Sequence, residues 1–174
     1  MKLLYKLLLT TVVVSGQAIN SLAQNNATTA SASAAVITPI TVVKNVDMSF
    51  GNMAVSPSTP GSVMLSPSGI RSTGGAGGVT LPATTGTVSP ASFTVSGQGN
   101  YTFAITLPTS CIINDGSGNT MTGDAFTSNP VSTGILNISG TRILNIGATL
   151  NLSAGQHPGA YTNVSGLPIT VNYN

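Results

Sequence analysis

Charge is what this chain of 174 residues most lacks: glutamate is absent, and three Asp stand against five Lys and Arg. Charged residues make up 5% of it, whereas a soluble domain typically carries about 25%. So little charge excludes a disordered polyelectrolyte and a coiled coil, both of which depend on it. Cysteine occurs once, at Cys111, which excludes an intramolecular disulfide framework and a Cys-rich zinc site. Histidine also occurs once, at His157, and without Glu little remains from which to build general acid–base catalysis. Tryptophan is missing, and with it the best aromatic platform for a sugar ring. What the chain has instead is uncharged polarity, 21 Ser, 24 Thr and 15 Asn, beside 41% hydrophobic residues.

The first 23 residues have the order of an export signal. Lys2 and Lys6 form a positive end, Leu7 to Val14 an apolar stretch, and Ser21-Leu22-Ala23 places small residues where a signal peptidase cuts. A transmembrane helix needs about 20 apolar residues, and here Ser15, Gly16, Gln17, Asn20 and Ser21 interrupt the run. No Cys follows the apolar stretch, so no lipid anchor on an N-terminal Cys is expected. Cleavage after Ala23 removes Lys2 and Lys6. It leaves Lys44, Arg71 and Arg142 against Asp47, Asp115 and Asp124, a balance of zero. Three dispersed cations do not neutralise a run of phosphates, and they form no patch for anionic lipid; neither nucleic acid nor a membrane surface is an expected partner.

Residues 24–35, QNNATTASASAA, are small and polar and read as a flexible leader. From Val36 to Asn174 the chain reads as a single all-β domain. Tyr101, Phe103, Ile105 and Leu107 alternate with Thr102, Ala104 and Thr106. Leu144, Ile146, Ala148, Leu150 and Leu152 alternate with Asn145, Gly147, Thr149 and Asn151. Leu167, Ile169, Val171 and Tyr173 alternate with Pro168, Thr170 and Asn172. Period-2 alternation of this kind marks strands with one buried face. Shorter candidates are 42–50, 61–66, 79–81, 91–95, 121–127 and 135–138, separated by turns such as Ser66-Pro67-Ser68-Gly69 and Asn114-Asp115-Gly116. Eight or nine such strands predict a two-sheet antiparallel sandwich, because alternating strands must bring their apolar faces together.

No arrangement of side chains spells out a reaction. There is no Gly-x-Ser-x-Gly elbow, and His157 precedes Pro158 in a turn with no orienting carboxylate nearby in sequence. Cys111, among Ile112 and Ile113, reads as a small buried hydrophobe, since a reactive thiol wants positive charge beside it. Asp115-Gly-Ser117-Gly-Asn119 has oxygens at alternate positions like a calcium loop, but Thr120 and Phe126 occupy the positions that need Gly and Glu; a plain hairpin loop is expected. The chain is therefore read as having no catalytic, metal or cofactor site. Its informative feature is bare sheet edges. Soluble β-proteins protect edge strands with Lys or Pro, and here Pro39, Pro168 and Lys44 are all the predicted edges carry. Such edges are either covered or paired by another chain.

Several stretches together resemble a family of secreted bacterial domains, domain of unknown function 4402. They are Ile37-Thr-Pro-Ile-Thr41, Met48-Ser-Phe-Gly-Asn-Met53, Leu65-Ser-Pro-Ser-Gly-Ile-Arg-Ser72, Asn100-Tyr-Thr-Phe-Ala-Ile-Thr-Leu-Pro108, Gly147-Ala-Thr-Leu150, Gly159-Ala-Tyr161 and Ile169-Thr-Val-Asn-Tyr-Asn174. A weaker resemblance, carried by Phe50-Gly51 and the penultimate Tyr173, is to pilin-like and spore-coat-U-like subunits of chaperone–usher fibres. It implies an immunoglobulin-like subunit that lacks a strand, a periplasmic chaperone as partner, and fibre formation by strand donation. Ala30, Ala32, Ala34 and Val36 alternate as a donor strand would, and Ile169, Val171 and Tyr173 would belong to the receiving strand; a plain tether explains the same leader composition. The resulting expectation is a secreted, non-enzymatic bacterial surface subunit that self-associates through strand edges. The competing reading is a monomeric secreted binding module, for example for carbohydrate.

Overall fold

The computed structural model describes residues 26–163 and 165–174, so the expected signal segment lies outside the described residues. Residues 26–35 are exposed and have no regular secondary structure. Val36–Asn174 form a compact unit. Its regular structure is entirely β among the described residues. In chain order the strands are β1 (Thr41–Val46), β2 (Ala54–Val55), β3 (Gly61–Leu65), β4 (Arg71–Gly74), β5 (Val79–Thr80) and β6 (Ala91–Ser96). There follow β7 (Thr102–Thr106), β8 (Ser110–Asn114), β9 (Thr120–Asn129), β10 (Thr133–Ile135), β11 (Thr141–Leu152) and β12 (Thr170–Tyr173).

The twelve-residue β11 is the spine of the larger sheet. Its alternate residues Leu144, Ile146, Ala148, Leu150 and Leu152 are all buried, as the pleat requires of a strand with one inward face. Along one side β11 pairs first with β6 and then with β3, and along the other with β9. The change of partner falls at Gly147, where a Cβ would stand 2.1 Å from the Leu65 carbonyl oxygen. Only glycine lets the end of β3 come that close. The sheet is completed by β1 on β6, β4 on β3 and β8 on β9. A second sheet has the order β10-β7-β12, and β2 pairs with β5 in a short ribbon.

Both sheets contribute to one core. Phe93, Val95, Leu144 and Ile146 of the larger sheet meet Phe103 and Val171 of the smaller one, with Leu136 between strands. Burying side chains of this size stabilises the fold by roughly 1.5–3 kcal/mol each, which makes this interface the main source of cohesion. A second cluster, Val63, Val79, Met121, Leu150 and Leu152, lies under the β2–β5 ribbon together with Phe50, Met53 and Tyr161. The all-β, antiparallel, sheet-on-sheet architecture agrees with the sequence reading.

The described residues form twelve strands rather than eight or nine, and the reasons are local. Strand β2 of the ribbon is only two residues long, and β4 is a short polar edge strand. Neither has enough alternation to register, whereas β5 falls within the expected 79–81. In β8, Ile112 is 59% exposed beside the half-buried Ile113, so its apolar run hides the alternation. The last strand begins at Thr170 rather than Leu167, because Pro168 has no N–H for a ladder. Residues 136–138 do not extend β10: the Asn137 side chain accepts from Thr141 N–H at 2.9 Å and Gly140 adopts φ 75°, which closes a turn there.

Candidate functional site

Two sheet edges come together at one corner of the sandwich. Strand β12 is an outer strand of the smaller sheet and β1 an outer strand of the larger. Tyr173 joins them: its hydroxyl accepts from Gln98 N–H at 2.6 Å and donates to the Thr38 carbonyl at 2.7 Å. Gln98 reaches back in turn, its side-chain oxygen accepting from Thr38 N–H at 3.4 Å and from the Thr38 hydroxyl at 3.3 Å. Tyr101 meets the Tyr173 ring edge-on, with centroids 5.8 Å apart. Around this junction Ile40, Val42, Ile105, Leu107, Leu167 and Ile169 are only partly buried although they pack on the common core.

The main chain of β12 faces outward at known positions. Asn174 N–H donates to the Thr102 carbonyl, and Thr170 and Asn172 stand opposite Thr106 and Ala104 of β7. Ile105 N–H donates the other way, to the Ser132 carbonyl beside β10. Antiparallel alternation then directs the N–H and C=O of Val171 and Tyr173 to the open side of β12. No charge lies on this strand, whose outward side chains are Thr170 and Asn172. The β1 edge is treated differently. Its register shifts between Lys44 and Val46, and Lys44 Nζ lies 2.7 Å from Asp47 Oδ1. Bulges and charges of this kind discourage pairing; β12 has neither.

The residues singled out from sequence are distributed as follows. Val171 is buried, while Ile169 and Tyr173 are half-buried on the same cluster; Ile169 precedes the strand that it was expected to share. Ala30, Ala32 and Ala34 are exposed and outside any strand, and Val36 is fully exposed. Arg71 also proves to sit on an edge strand, β4, but its guanidinium donates to the Phe50 and Asn52 carbonyls at 2.7 Å each. Cys111 is half-buried on β8 opposite Gly123, and burial raises its thiol pKa. Asp115 spends its carboxylate inside its own loop, accepting from Asn119 Nδ2 at 2.6 Å and from Ser117 N–H at 2.8 Å. Exposed His157 has its Nδ1 2.9 Å from the Pro158 carbonyl. Among the described residues no three His, Cys, Asp or Glu side chains gather as a metal site. No helix of the described residues is long and apolar enough to cross a membrane. Sequence reasoning missed Thr38 and Gln98, which carry no signal beyond their polarity.

A family described as a domain of unknown function (DUF4402) matches residues 40–173. The chain belongs to that family. The DUF4402 match takes in all twelve strands, starting one residue before β1 and ending on Tyr173. Strand β12 is thus inside the DUF4402 region and residues 24–35 are outside it. No curated protein and no solved structure matches the chain.

Proposed function

We propose that this protein is exported to the bacterial surface and acts there as a non-enzymatic structural subunit, assembling when a strand of a neighbouring chain pairs with the open edge of β12. The observation that carries the reading is the contrast between the two edges: β1 bears a bulge and an ion pair, whereas β12 presents the main chain of Val171 and Tyr173 beside incompletely buried Ile40, Val42, Leu167 and Ile169. An added strand would satisfy those groups and cover that apolar surface. The leader supplies such a strand, since Ala30, Ala32, Ala34 and Val36 recur at every second position. Before assembly the same edge suits a periplasmic chaperone. Sedimentation of the exported protein with and without residues 24–35 tests the idea. Assembly lost on deletion supports donation by the leader; an assembly state unchanged by the deletion excludes it.

A further inference from the structure

The turn between β8 and β9 contains a chemically labile dipeptide. Asp115 precedes Gly116 there, and no other Asp and no Asn of the sequence is followed by glycine. The amide nitrogen after an Asp can attack the side-chain carboxyl. A bond forms between that nitrogen and Cγ, and the carboxyl hydroxyl leaves with the amide proton as water. Water then opens the resulting cyclic imide at either carbonyl. One product is aspartate again; the other is isoaspartate, whose main chain runs through the former side chain. Glycine favours the closure because it has no Cβ to screen its nitrogen and turns freely into the geometry required.

The folded turn engages both reaction partners elsewhere. Asp115 Oδ1 accepts from Ser117 N–H at 2.8 Å and from Asn119 N–H at 3.1 Å, and Oδ2 accepts from Asn119 Nδ2 at 2.6 Å. Gly116 N–H donates to Asn114 Oδ1 at 3.1 Å. The electrophile is therefore held by residues after it, and the nucleophile by the residue before it. Ring closure has to break bonds at both ends, because reacting atoms must first be brought into line. Packing adds no further restraint, since a Cβ at Gly116 or Gly118 would meet nothing within 4 Å. Those few hydrogen bonds are what stands between the turn and local opening.

We propose that Asp115 is a site of spontaneous isoaspartate formation, held in check in the folded protein by Asn114 and Asn119 as positioning residues. The other two acids of residues 24–174 serve as internal references. Asp47 precedes Met48 and Asp124 precedes Ala125, whose side chains screen the attacking nitrogen. Isoaspartate at 115 puts an extra atom into the main chain just past the paired Asn114 and Thr120, which close the β8–β9 ladder. Asn114 is also bonded in both directions to Thr162, at 3.0 and 2.8 Å, so the change loosens the hairpin end and the segment tied to it. The site makes no use of β12, and it stands or falls separately from assembly.

The test is isoaspartate mapping of purified protein aged at neutral pH, by enzymatic methylation of isoaspartyl groups followed by peptide mass analysis. Folded protein is compared with protein unfolded in urea. The unfolded chain is expected to isomerise faster at Asp115 than at Asp47 or Asp124, and folding to slow Asp115 by about tenfold or more. In the folded state Asn119→Ala and Asn114→Ala should recover most of the lost rate. Ser117→Ala should not, because the bond from Ser117 to Asp115 comes from its main chain. Gly134→Ala, which crowds Phe103 in the smaller sheet, separates local restraint from general loss of stability and should keep the wild-type rate. Equal rates in folded and unfolded protein, or no isoaspartate at Asp115 in either, overturn the proposal. So do Asn114→Ala and Asn119→Ala variants as slow as wild type, or a Gly134→Ala variant as fast as they are.

Discussion

The Tyr173 hydroxyl donates to the Thr38 carbonyl at 2.7 Å, closing a contact across 135 positions of sequence. It also takes the Gln98 N–H, so one phenol ties the last strand to the chain entering the first and to the turn after β6. Tyr173→Phe is expected to cost about 1–2 kcal/mol, since it strands a donor and an acceptor. Gly97 is part of the same device, because a Cβ there would stand 2.2 Å from Tyr173 Oη. Gly97→Ala should therefore destabilise the native sequence more than the Tyr173→Phe background, a departure from additivity that urea denaturation of the three variants measures.

A second glycine prediction concerns the core. Gly134 stands opposite Phe103 in register, and the Phe103 ring covers it: a Cβ at 134 would lie 2.3 Å from Cζ. Phe103 is fully buried and has nowhere to retreat. Gly134→Ala should cost about 1–3 kcal/mol by forcing the ring out of place. Thermal denaturation checks it; a stability equal to wild type means that the ring has room to move.

Burial holds the Cys111 thiol above its ordinary pKa, more than the Gly123 and Asn163 hydrogen bonds pull it down. The thiol thus stays protonated at neutral pH, and alkylation of native protein should be slower than that of protein unfolded in urea. The raised folded value also fixes the sign of the pH effect. Its contribution is complete below the unfolded thiol's pKa and is lost as pH rises through the folded one. Equal alkylation rates in the two states would contradict the assignment. Cys111→Ala is expected to cost on the order of 1 kcal/mol.

Asp115 gives the opposite sign. The Asn119 side chain, and then the N–H groups of Ser117 and Asn119, hold its carboxyl below the usual carboxylate range. Its contribution is present above the unfolded carboxyl's pKa and is lost as pH falls through the lowered folded value. Asp115→Asn should flatten the acid limb of the stability profile and leave neutral pH less affected. An acid limb identical in variant and wild type would show that the loop is indifferent to this charge.

Strands with strong alternation were legible in the sequence, and those without it were not. Phe103, Leu144 and Ile146 announce their burial through period-2 spacing, and each is fully buried. Strand β8 hides because exposed Ile112 sits between Cys111 and Ile113, and β4 because its residues are polar on both faces. The bare β12 edge was foreseen from the lack of charge around Tyr173. The bond from Tyr173 to Thr38 was not, because it joins residues far apart in the sequence, a non-local fact with no periodicity.

Assembly through β12 should be indifferent to salt. Residues 24–174 balance three cations against three Asp, and β12 itself has no charged side chain. Pairing there rests on main-chain hydrogen bonds and apolar contacts, which Debye screening does not reach. Asn172→Lys supplies the missing protection: its side chain is exposed and the substitution leaves the β7 ladder in place, so it should abolish assembly without lowering the melting temperature. Sedimentation at low and high salt separates the cases. Oligomers that persist in salt but vanish with Asn172→Lys place the contact at β12. Oligomers dissolved by salt alone show an electrostatic contact, and the edge reading then fails.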